Sequence, residues 1–78
     1  MSDGVRRLDC REMRCPMPIV QMAMALRTLA PGDELLVEAT DPAFLADVRA
    51  WSRMSGNPIE DEQDGPVKQV RVRKKVAP

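Results

Sequence analysis

Between Pro16 and Gly56 the apolar residues change their spacing twice, and that change restricts the chain to an α/β fold. Ile19, Met22, Ala23, Leu26 and Leu29 recur at helical intervals until Pro31-Gly32 stops the run. Glu34 to Ala39, reading ELLVEA, is a short apolar segment of strand length. In Thr40-Asp41-Pro42, Asp41 suits an N-cap and Pro42 the first position of a helix. Phe44, Val48, Trp51 and Met54 or Ser55 trace one face of that second helix, and Gly56 is placed for a left-handed stop before Asn57-Pro58.

The flanks complete the pattern. Val5 to Leu8 can start a sheet, and Asp9 to Arg14 reads as a polar connection carrying Cys10. Ile59 to Gln63 is an acidic strand suited to an edge, and Asp64-Gly65 is a hairpin signal. Val67, Val70 and Val72 then stand among Lys68, Arg71, Arg73 and Lys74, with an alternation from Gln69 to Arg73 that buries one face. The predicted order is βαβαββ. Two helices with one apolar stripe each can cover a single face of a four-stranded mixed sheet, giving a two-layer α/β sandwich.

At 78 residues the chain has material for one core, so residues 1–78 are read as a single domain. Twelve basic and twelve acidic residues cancel, leaving no global attraction to nucleic acid or a membrane surface. No apolar run approaches the ~20 residues of a bilayer span, and MSDGVRRLD lacks the apolar stretch of a signal peptide, so a cytoplasmic location is expected. Two cysteines without an export signal suggest reactive or buried thiols rather than a disulfide. With no histidine, a Cys-His pair, a His base and a His metal ligand are all excluded. Neither a metal nor another cofactor is expected.

Thiol chemistry must therefore be arranged without histidine, and Cys15-Pro16-Met17-Pro18 suggests how. Pro16 biases Cys15 toward extended backbone and itself suits a helix start, which predicts Cys15 at the N-cap. Its sulfur would then face the free amides and positive dipole end of the first turn, lowering a pKa of about 8.5 to roughly 7. Pro18 lacks an N–H, so the donors near the cap reduce largely to Met17, and such a helix start is expected to be exposed. Arg11 and Arg14 are close enough in sequence to reinforce the thiolate, or they are simply solvated.

Leu8-Asp9, Cys15-Pro16-Met17-Pro18, and Asp41-Pro42 followed by Asp47 and Trp51 resemble the TusA/SirA-type sulfur-carrier family over nearly the whole chain. The resemblance implies a two-layer α/β sandwich in which Cys15 carries sulfur as a persulfide. It implies sulfane sulfur taken from a cysteine desulfurase or rhodanese and passed to an acceptor protein, for tRNA thiolation, molybdenum cofactor biosynthesis or sulfur oxidation. The family usually has Gly-Leu shortly before the motif, where this chain has Glu12-Met13. A positive φ at that glycine position would cost Glu12 about 1 kcal/mol.

Other residues are read more plainly. Cys10 is either a resolving thiol for Cys15 or a small apolar end to the first strand, the second being favoured. Met22, Met24 and Met54 are read as core filler, Trp51 as buried, Asp41 as a helix cap and Asp47 as a surface residue. Met17 adds an apolar contact near the sulfur. Arg71, Arg73, Lys74 and Lys75 make a basic strand edge that either docks acidic partners or keeps the edge soluble. Two rival functions stand beside the carrier, which is expected to be monomeric when free. One is a thiol-disulfide switch of Cys10 with Cys15. The other is a small regulatory or RNA-binding module, disfavoured by a single Trp, a single Phe and zero net charge.

Overall fold

The computed structural model describes residues 5–76; the leader reading at the first four residues lies outside them. Six elements follow in chain order: β1 (Val5–Cys10), α1 (Met17–Arg27), β2 (Glu34–Ala39), α2 (Phe44–Ser55), β3 (Ile59–Gln63) and β4 (Lys68–Arg73). The sheet order is β1-β2-β4-β3. β1 runs parallel to β2, and β4 is antiparallel to both β2 and β3, so the sheet is mixed.

Alternation along β2 and β4 decides which face is covered. Leu35, Val37 and Ala39 of β2 and Val70 and Val72 of β4 are buried, while the residues between them are only partly so. α1 packs against β1 and β2, α2 against β3 and β4, and the helices touch one another, as a two-layer α/β sandwich requires. Pro18 and Met22 of α1 and Phe44 and Val48 of α2 are fully buried between the layers. Gly56 ends α2 at φ 83°, a left-handed conformation that costs glycine little, and its N–H donates to the Ser52 carbonyl.

Several boundaries and placements differ from the sequence expectations. β1 extends to Cys10 because register pairing with β2 continues through Cys10 opposite Ala39. α1 begins at Met17 rather than Pro16, and α2 at Phe44, because Asp41 to Phe44 is a turn closed by the Phe44 N–H on the Asp41 carbonyl. The basic strand is no edge, since β4 lies inside the sheet and the edges are β1 and β3. On the open face Arg71 and Arg73 pair with Glu34, and Arg73 also with Glu60. Lys74 donates to the Leu29 carbonyl. β3, rich in carboxylates and broken by a register shift between Ile59 and Asp61, is the acidic edge expected.

The methionines divide. Met22 is fully buried, whereas Met24 and Met54 are 56% and 88% exposed and fill no core. Trp51 is half-buried, packed against the core rather than within it. Met22→Ala should lower unfolding stability by about 2–5 kcal/mol, whereas Met24→Ala, two residues away on the outer face, should change it by less than about 0.5 kcal/mol. Urea denaturation of the two variants checks both.

Candidate functional site

Because β1 and β2 are parallel with Cys10 opposite Ala39, the loops that follow them leave the same end of the sheet side by side. The residues after β1 are tied to those after β2 by two hydrogen bonds. The Glu12 N–H donates to Thr40 Oγ1 at 2.9 Å, and the Cys15 N–H donates to Asp41 Oδ2 at 2.6 Å. The other Asp41 oxygen accepts the Ala43 N–H at 3.1 Å. Asp41 is therefore not the N-cap expected, since the turn through Pro42 moves that position to Ala43, but it holds the loop that presents Cys15. Amide donation draws its carboxyl below the usual range, the Ala43 N–H contributing most and the Cys15 N–H next.

Glu12 has φ 68°, the left-handed region that a side chain disfavours. The positive φ anticipated for a glycine at this position is therefore met by a glutamate. Arg14 to Met17 form a second turn, closed by the Met17 N–H on the Arg14 carbonyl at 2.8 Å, with a cis Cys15–Pro16 peptide. Pro16 occupies the N-cap and its carbonyl accepts the Val20 N–H. Pro18, fully buried, anchors the first turn of α1.

This arrangement corrects the expected electrostatics of Cys15. The cysteine stands one residue ahead of the N-cap, and no side chain caps α1. The Met17 N–H is already bonded to Arg14, and Pro18 has none to give. The sulfur instead meets carboxylates. A hydrogen bond to Asp47 is the largest cause raising the thiol pKa above its ordinary value, followed by desolvation and the charges of Asp47 and Asp41. These surroundings push the thiol away from the thiolate, opposite to what a helix start would do.

Cys15 is exposed and borders two depressions. One is polar, lined by Glu12, Arg14, Thr40 and Asp41 among others. The other is a mostly apolar groove between the helices, with Pro16 and Ile19 on one side and Asp47, Trp51 and Met54 on the other. Asp47 is therefore the site residue that sequence reading missed. The signal was present, since Asp47, Trp51 and Met54 or Ser55 follow one another at helical spacing on one stripe of α2.

The remaining candidates separate. Arg11 is turned to Asp9, with Nε and Nη2 on the two carboxylate oxygens at 2.9 Å each, and is committed away from the sulfur. Arg14 lines the polar depression, where its charge acts on Asp41. Met17 is 44% exposed beside the motif. Cys10 is fully buried at the end of β1, its thiol pushed up by burial and by Asp9, which favours the structural role. Among the described residues no three Cys, Asp or Glu side chains cluster as a metal site would need.

Two measurements follow. Glu12→Gly should raise stability by about 1 kcal/mol, seen as a melting midpoint roughly 4–8 °C higher, because glycine relieves the left-handed strain and keeps the amide bond to Thr40. The Asp9 carboxyl, held down at about 2 by Arg11 against an ordinary 3.8, should return toward 3.8 in Arg11→Ala when followed by NMR. The sign is that of a depressed carboxyl: the Asp9 contribution to stability is present above 3.8 and lost as pH falls toward about 2.

Comparison with known proteins bears on the family and the fold. The family model for sulfurtransferase TusA matches residues 6–74. The sulfur carrier protein TusA of Allochromatium vinosum is 33% identical over 66 residues, covering 83% of this chain and 87% of that protein. YrkI of Bacillus subtilis is 40% identical over 63 residues, 81% of each chain. A longer relative from Aquifex aeolicus matches 77% of this chain but only 32% of its own length. The crystal structure of the SirA-like protein of Desulfitobacterium hafniense superposes with a TM-score of 0.75 over 92% of this chain and 99% of that one, at 20% identity, a likeness of fold. With the family model spanning all six elements and relatives matching along most of their length, the chain belongs to the TusA family of sulfur carriers.

Proposed function

We propose that Cys15 is the sulfur-bearing residue and that the protein relays sulfane sulfur as a Cys15 persulfide between two partner proteins. The observation that carries this reading is an exposed cysteine set between two depressions in a chain of the sulfur-carrier family. The donor is a protein persulfide, such as that of a cysteine desulfurase or a rhodanese. The Cys15 thiolate attacks the terminal sulfur of the donor's –S–SH group. A new S–S bond forms, the donor's own S–S bond breaks, and the donor leaves as a thiolate, so no external oxidant or reductant is consumed. The reverse step delivers the terminal sulfur to an acceptor thiolate. Pathways such as tRNA thiolation, molybdenum cofactor biosynthesis or sulfur oxidation use such relays.

The protein in this reading is one component of a sulfurtransferase chain, needs no cofactor, and acts as a monomer in a reducing, cytoplasmic setting. Pro16, Met17 and Pro18 shape the presentation of the sulfur, and Arg14 sits where it can meet an anionic group entering the polar depression. A disulfide switch is less well supported, because Cys10 is sealed in the core while Cys15 is exposed. An RNA platform is opposed by the open sheet face, where Arg71 and Arg73 are engaged by Glu34 and Glu60.

After incubation with a cysteine desulfurase and cysteine, mass spectrometry should find a reducible gain of one sulfur atom on the Cys15 peptide and none on the Cys10 peptide. Equal loading of the Cys15→Ser variant would defeat the proposal.

A further inference from the structure

Cys15 borders carboxylates on both sides, Asp41 in the polar depression and Asp47 in the apolar groove, an arrangement that disfavours a thiolate at the residue proposed as the nucleophile. The charged groups facing it come from three segments. Its own loop supplies Glu12 and Arg14, the turn after β2 supplies Asp41, and α2 supplies Asp47. α1, packed on the other side of the groove, carries no charge until Arg27 at its far end. Arg14 bears on Asp41 rather than on the sulfur. Both oxygens of Asp41 are taken by the backbone amides of Cys15 and Ala43. Asp47 is different: among the described residues its side chain makes no ion pair, unlike Asp9, Glu34, Glu60 and Glu62. It borders the same groove as the thiol, beside Trp51 and Met54.

Resting on the carrier reading, we propose that Asp47 is a positioning residue for Cys15: its carboxylate accepts the S–H hydrogen bond, aims the sulfur into the groove, and restrains its reactivity until a docked partner's cationic side chain neutralises the carboxylate. The partner is then specified by chemistry as a protein that brings a Lys or Arg to the apolar groove along with its persulfide or acceptor thiol. When that cation engages Asp47, the hydrogen bond that holds the proton is lost, the proton passes to water, and the thiolate is released for attack. In the free carrier the same hydrogen bond protects an exposed thiol from adventitious oxidation, which proceeds through the thiolate.

Alkylation of Cys15 by iodoacetamide across pH, resolved from Cys10 by peptide mass spectrometry, tests this on the free protein. At neutral pH the rate should rise from wild type to Asp47→Asn to Asp47→Lys, by about three- to tenfold at each step, with the lysine standing in for the partner's cation. Asp47→Glu should keep the wild-type profile. In the wild type, added salt should accelerate alkylation by screening the carboxylate, a measurement that needs no variant to fold. An Asn variant that is folded by circular dichroism and alkylates no faster than wild type overturns the proposal, as does a rate indifferent to salt. No sulfur donor is present in these measurements, so a failure of the relay would appear only in the persulfide experiment.

Discussion

Parallel pairing of β1 with β2 obliges the chain to cross over between them, and α1 is that crossover. The same pairing brings two loops out at one end of the sheet, so that Glu12 meets Thr40 and Cys15 meets Asp41. Everything distinctive about the site descends from this adjacency. An antiparallel arrangement of the first two strands would put those loops at opposite ends and leave the cysteine without its carboxylate support. The buried Pro18 then fixes where α1 starts, and the short turn ahead of it leaves the sulfur outside the core.

The resulting electrostatics run counter to what a cysteine before a helix suggests. Dipole and amide stabilisation at a helix start require free N–H groups near the sulfur, and here the Met17 N–H is bonded to Arg14 and Pro18 has none. Two carboxylates stand in the space where positive potential was expected.

Charge elsewhere is arranged to leave the helix layer as the more apolar side. On the open face of the sheet, basic residues of the central strand β4 are matched with acids from β2 and β3, and the acidic, irregular β3 guards one edge. Met24 and Met54, exposed on the helices, and the half-buried Trp51 leave apolar surface on the opposite side. Zero net charge thus conceals a division between a neutralised sheet face and an apolar helix face bearing the cysteine.

Much of the fold could be read from local chemistry. The helical stripes of α1 and α2, the run ELLVEA, the alternation around Val70 and Val72 and the stop at Gly56 each follow from periodicity or from a backbone angle that glycine tolerates. The motif around Cys15, with its family resemblance, marked the candidate residue. Only the tertiary structure decided the rest, because it depends on residues distant in sequence. Whether Met22 or Met24 faces the core, whether β4 is an edge, and whether Arg11 serves the sulfur or Asp9 are set by packing and pairing that no local pattern carries. The surroundings of Cys15 belong to the same class: the sequence placed it beside a helix start, but a carboxylate 32 positions further along, across the groove, pushes its thiol pKa up.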